Sequence, residues 1–160
     1  MVQRLLLRIL GRRSDLEDLA QNVFVETLRA LPDFEGRSKL STFVGGITVK
    51  VALRAMRRPK SAPRLVALPE EVGADTQDPE RQTGARRQLA QVRVILEGMN
   101  EVKRVAFCLW ALEGMEIEAI AELMGASPAA TRSRIYYAQK ELKSKAARRP
   151  ELRELIGDGP

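Results

Sequence analysis

The sequence predicts an all-α protein of two small helical domains joined by a flexible linker. Three observations carry that expectation. Aromatic residues are 4% and charged residues 30% of a chain rich in Leu, Ala, Glu and Arg, a balance that favours helices over sheets. Apolar residues recur at helical spacing through residues 2–58 and 87–156. Between these blocks, 59–86 holds Pro59, Pro63, Pro69, Pro79, Gly73 and Gly84 and sustains no such stripe. The hydrophobic fraction of 44% is enough to bury a core.

The first block covers 1–58. Arg4, Arg8, Arg12 and Arg13 set against Leu5, Leu6, Ile9 and Leu10 describe an amphipathic helix that packs into a core. It is too short and too charged to span a bilayer, and it lacks a signal-peptide cleavage pattern. Ser14 with Glu17 makes a capping box, and Asp15 suits the positive helix end. Leu16, Leu19, Ala20, Val23, Thr27, Leu28 and Leu31 then stripe a helix over 15–31, stopped by Pro32. Asp18, Gln21, Asn22 and Glu26 fall off that stripe and form a polar face.

Asp33 to Lys39 reads as a short loop by its Gly and Ser content. A third helix follows over 41–58, with Phe43, Val44, Ile47, Val51 and Ala55 inward. Lys50, Arg54, Arg57 and Arg58 project from one side as a basic stripe. Gly45-Gly46 within it costs roughly 1 kcal/mol per Gly relative to Ala. Either the helix breaks there, or something packs closely against its backbone.

As a random coil, the linker over 59–86 would hold its ends roughly 30 Å apart. Two modules so joined can engage two sites on one large target.

The second block covers 87–156. Leu89, Val92 and Leu96 stripe one helix, ending near Gly98. Val102, Val105, Ala106, Leu109 and Leu112 stripe the next, and Ile117, Ile120, Ala121 and Met124 a short third that ends at Gly125. Ser127-Pro128 supplies an N-cap and a first-turn proline. Thr131, Ile135, Ala138 and Leu142 stripe the helix that follows. A short helix, a tight glycine turn and a second capped helix form a helix-turn-helix. Its second helix presents Arg132, Ser133, Tyr136, Tyr137 and Lys140 outward, a mixture suited to the DNA major groove.

Charge is distributed to match. Residues 1–60 carry net +6 and 61–86 net −2, and 127–149 hold seven basic groups against Glu141 alone. Two basic concentrations separated by an acidic stretch suggest two contacts with a polyanion. Absence of histidine and a single cysteine exclude His-based triads, His-ligated zinc, four-thiolate clusters and internal disulfides, so a cytosolic compartment is expected. Cys108, between Phe107 and Leu109, reads as a buried small hydrophobe, and Trp110 as core or interdomain packing. Glu118 and Glu122 share a helix face as solvated carboxylates.

Two stretches carry a family resemblance. Asp15-Leu16-Glu17-Asp18-Leu19-Ala20-Gln21-Asn22-Val23-Phe24 resembles the core-polymerase-binding helix of the sigma-70 family, and Ala30-Leu31-Pro32-Asp33-Phe34-Glu35-Gly36-Arg37-Ser38 its promoter-melting segment. Glu116 to Ser127, continuing into Thr131-Arg132-Ser133-Arg134-Ile135, resembles the second DNA-binding domain of the extracytoplasmic-function branch. The resemblance implies a factor that binds core RNA polymerase and directs it to promoter DNA. Region 2-like residues 1–58 would hold polymerase and read and melt the −10 element; region 4-like residues 87–156 would read the −35 element. By the same resemblance, Asp18, Gln21 and Asn22 face polymerase. Phe34, Gly36, Arg37, Ser38 and Lys39 cradle a flipped base, and Lys50, Arg54, Arg57 and Arg58 hold phosphates. Arg132, Ser133, Arg134, Tyr136, Tyr137 and Lys140 read or grip the −35 duplex. The branch commonly has Trp where Phe43 stands, an aromatic–Arg pair where Gly45-Gly46 stands and Asn where Lys50 stands. It also implies an anti-sigma partner, no catalytic residue, no cofactor or metal, no small-molecule substrate and a cytoplasmic location. A free-standing helix-turn-helix regulator, binding operators as a symmetric dimer, is the other reading. The two-block organisation disfavours it, since such a regulator needs no second basic module.

Overall fold

The computed structural model describes residues 1–57 and 79–152, and every element among them is helical. The expected linker over 59–78 and the −10 stripe residue Arg58 lie outside the described residues. The elements are α1 (Val2–Leu10), α2 (Leu16–Ala30), a 3-10 turn (Leu31–Asp33), α3 (Leu40–Arg57), α4 (Pro79–Glu97), α5 (Glu101–Ala111), α6 (Ile117–Met124) and α7 (Pro128–Ala146). No described helix is long and apolar enough to cross a membrane.

In the first block, α1 and α2 pack on α3. Leu5, Leu6, Ile9 and Leu10 are buried as the arginine–leucine spacing of α1 requires. The capping box does not form. Asp15 takes the N-cap position of α2 without a side-chain cap bond. Its carboxylate is held instead by Arg13, whose Nη2 donates to Asp15 Oδ2 at 2.7 Å. The helix begins one residue later than the box requires, which leaves Ser14 outside the N-cap position. Leu28 and Leu31, expected inward, are exposed, because the buried stripe of α2 is confined to Leu19, Ala20 and Val23.

Helix α3 runs unbroken through Gly45-Gly46, so the second alternative holds. A Cβ added at Gly45 would stand 2.7 Å from Leu123 Cδ2, and one at Gly46 would stand 3.5 Å from the Leu123 carbonyl oxygen. The glycines are the seat of α6.

In the second block, α4 begins at Pro79, so 79–86, expected as linker, are helical. Leu89 is exposed on it, whereas Ile95 is buried against Ala146 and Leu152. Asn100 caps α5, accepting from Val102 N at 3.1 Å and Lys103 N at 3.4 Å. Gly125 turns α6 into the next helix at φ +57°, a left-handed conformation that glycine adopts without a Cβ penalty. Ser127 Oγ then accepts from Ala130 N at 3.2 Å, capping α7 as expected. Trp110 is not core: it is 38% exposed, tilted against Phe107 with ring centroids 6.1 Å apart.

The two blocks share one hydrophobic core. Leu6, Ile9 and Ala52 of the first belong to the same buried cluster as Val105, Leu109 and Ile120 of the second.

Candidate functional site

Three surfaces collect the residues expected to act. On α2, Asp18, Gln21 and Asn22 are all exposed. Phe24, Val25 and Leu28 are exposed beside them at 55%, 43% and 68%. Sequence reasoning assigned Leu28 to the core and did not single out Phe24 or Val25 as surface groups. The i, i+4 spacing of Phe24 and Leu28 places both on a side of α2 away from Val23, and this could have exposed the error. A solvent-facing strip of large apolar groups rimmed by polar ones is the composition of a protein-binding surface.

The second surface is the loop between the 3-10 turn and α3. Phe34 packs on Phe43 with centroids 4.8 Å apart, which ties the loop to the helix. Asp33, Phe34, Glu35, Arg37, Ser38 and Phe43 line a cavity of about 320 Å³. Aromatic walls with polar groups at the rim suit a nucleobase taken out of its stack. Phe43 was expected on the inner face of its helix; it is half-buried and forms part of this wall. Gly36 turns the loop at φ +70°, and Arg37 pairs with Glu35. A larger groove of about 600 Å³ is lined by Gly36, Arg37, Ser38, Lys39 and Thr42, and by Glu122 of α6.

The basic stripe of α3 is present, with Lys50, Arg54 and Arg57 exposed. The guanidinium of Arg54 pairs with Glu26 of α2 while remaining exposed. Both groups stand on polar faces that the sequence identified separately, and only packing brings them together.

The third surface is α7. Arg132, Ser133, Tyr136, Tyr137 and Lys140 are exposed, and Arg134 is half-buried. Tyr136 and Tyr137 meet edge to face at 5.4 Å, and both remain more than half exposed. Thr131, Ile135 and Ala138 anchor the opposite face. Glu141, the sole acid of α7, accepts from Lys145 Nζ at 2.7 Å and Lys103 Nζ at 3.4 Å. The Lys145 hydrogen bond holds its carboxyl below the ordinary range, so the acid stays charged and occupied by lysines. Cys108 is buried, and desolvation pushes its thiol up to about 11 even with Arg104 against it. Among the described residues, no group of three or more acids and cysteines is placed to hold a metal ion.

Two family models match the chain: Sigma-70 region 2 over residues 1–62, and Sigma-70, region 4 over 89–142. The chain belongs to the sigma-70 family, in its extracytoplasmic-function branch. It is 30% identical over 153 residues to the ECF RNA polymerase sigma factor SigE of Mycolicibacterium smegmatis, with 92% of this chain and 58% of that one covered. It is 28% identical over 142 residues to the ECF RNA polymerase sigma-E factor of Haemophilus influenzae, covering 83% and 75%. The chain thus spans little more than half the length of the mycobacterial relative. Two solved structures share the fold. CnrH, in complex with the cytosolic domain of CnrY, superposes with a TM-score of 0.61 at 23% identity over 89% of this chain and 79% of that one. The sigma factor RpoE of Bartonella quintana, in complex with the anti-sigma factor NepR, gives 0.59 at 17% identity over 90% and 88%.

Proposed function

We propose that this sigma factor binds core RNA polymerase through the exposed face of α2 and directs it to promoters by reading two DNA elements. The observation that carries the reading is the mixed face of Asp18, Gln21, Asn22, Phe24, Val25 and Leu28, left solvent-facing on a helix that a free-standing helix-turn-helix regulator would not need. Phe34, Gly36, Arg37, Ser38, Lys39 and Phe43 would receive a base extruded from the −10 element. Extrusion costs a few kcal/mol per base, which stacking and backbone contacts offset. Lys50, Arg57 and Arg58 would hold phosphates, with Arg54 joining them on release from Glu26. Helix α7 would enter the major groove of the −35 element. Arg132, Ser133, Tyr136 and Tyr137 would meet base edges or backbone, and Arg134 and Lys140 phosphates.

In this reading residues 1–58 and 87–156 are the working domains and 59–86 connects them. The protein makes and breaks no bond, needs no cofactor or small-molecule substrate, and works in the cytoplasm where polymerase is. An anti-sigma protein is the regulatory partner that suits it, given the complexes formed by its structural neighbours.

In vitro transcription tests this. Core polymerase plus this protein, on a promoter library from the source genome, is expected to yield transcripts from a defined −10/−35 class that core alone does not make. Specific duplex binding that is equally tight without polymerase, and no transcript with it, would favour the free-standing regulator.

A further inference from the structure

We propose that Glu26 and Arg54 form an exchange site between the two working surfaces of the first block. A cationic side chain of polymerase takes Glu26 while the −10 phosphates take Arg54, so each partner strengthens the hold of the other. The proposal rests on the sigma-factor reading and adds Glu26 to the polymerase contact.

The pair lies where the two surfaces meet. On α2, Asp18, Asn22 and Glu26 follow one another at i, i+4 and i+8, a single ridge of that helix. An acid stands at each end of the ridge, which suits a cationic partner. On α3, Arg54 is the middle member of the basic stripe, between Lys50 and Arg57. Helix α2 packs on α3, and the two side chains join across that seam. Among the described residues, Arg54 is the one cation of the stripe in an ion pair.

Its burial makes the pair exchangeable. The Arg54 side chain is 57% exposed and that of Glu26 34%. A pair this open to water contributes little net stability, so a better partner displaces it at low cost. Phosphate is a better partner for Arg54, because it accepts from the guanidinium fork with two parallel hydrogen bonds. Glu26 cannot simply be abandoned. Its carboxylate is about two-thirds withdrawn from water, and an unpaired charge in that position is unfavourable. It would also stand as a like charge beside the incoming phosphates. DNA alone must therefore break the pair and tolerate the acid. A polymerase cation arriving along the Asp18–Asn22 ridge removes both penalties. Linkage makes the effect reciprocal: the factor that polymerase adds to DNA affinity, DNA adds to polymerase affinity.

The test is binding of a labelled single-stranded −10 oligonucleotide to the full chain, alone and assembled with core polymerase. In the free chain, Glu26→Gln is expected to raise affinity about two- to fivefold, the factor by which breaking an exposed ion pair shifts an equilibrium. Glu17→Gln removes the same charge from the same helix, nine residues earlier, and measures the general effect of one charge. Its gain is expected to be smaller. In an Arg54→Ala background, the gain from Glu26→Gln is expected to fall to the Glu17→Gln level. With core polymerase bound, the unmodified chain and Glu26→Gln are expected to hold the strand alike, and Glu26→Gln to hold polymerase more weakly. Equal gains from the two glutamine variants, a gain that survives Arg54→Ala, or an undiminished gain with polymerase bound would each overturn the exchange site. A chain that never associates with core polymerase sinks the sigma-factor reading as well; association without these differences sinks the exchange alone.

Discussion

Arg132 is exposed near the start of a capped helix whose opposite face is buried, so removing its guanidinium disturbs little but the contact it makes. Arg132→Ala is expected to cost about 1–3 kcal/mol of −35 discrimination and to leave polymerase association intact, measured by competition between promoters differing only in that element. Phe24 and Leu28 argue the same way on α2. Both are more than half exposed, so the double change to Ala is expected to keep the melting temperature and to weaken polymerase binding by more than about 1 kcal/mol. Titration with labelled core polymerase reads this. Cys108 has the opposite character. With its thiol raised to about 11 by burial, it binds its proton more tightly folded than unfolded. Its contribution to stability is therefore full below the ordinary thiol pKa and is lost as pH rises from there toward about 11. The native thiol is expected to resist alkylation at pH 8 until denaturant unfolds the chain.

At the scale of elements, helix ends were the most legible feature where a single residue decides them. The Ser127 cap and the Gly125 turn both stand as local chemistry predicts. Ser127→Ala is expected to cost about 0.5–2 kcal/mol and to fray the first turn of α7, seen as faster amide exchange at Ala130 and weaker −35 binding. Where two adjacent residues are both good caps, local reading failed: Asp15, not Ser14, stands at the N-cap of α2, and its carboxylate pairs with Arg13. The stripe on α2 failed on register. Leu28 stands four residues after Phe24 and five after Val23, so it lies on the exposed side of the helix with Phe24 and turns away from the buried side that holds Val23. The start of α4 was missed because Pro79 and Gly84 were read as breakers. Proline is tolerated in a first helical turn, where its missing N–H has no partner to lose.

At the scale of the molecule, the basic concentrations over 1–60 and 127–149 are expected to make the proposed association with DNA strongly salt-dependent. Neutralising Arg134 and Lys140 together is expected to lower the slope of log affinity against log salt by about two, with promoter preference largely retained. That pattern would mark them as phosphate contacts rather than readers of sequence. The same basic groups were visible in the sequence, but their employment was not. Spacing placed Arg54 on the basic stripe, but its ion pair with Glu26, twenty-eight residues away, comes only from packing.

The helical class, the order of the two helical blocks, the turn and cap of the helix-turn-helix and the exposed polar residues of the three candidate surfaces were legible without a fold. Each follows from periodicity or from chemistry within a few residues. Packing alone leaves Phe24 and Leu28 outside, sets Phe34 and Phe43 in the wall of one cavity and brings Leu123 onto Gly45-Gly46. These depend on contacts between residues far apart in the chain, and no local pattern specifies which apolar face will find a partner.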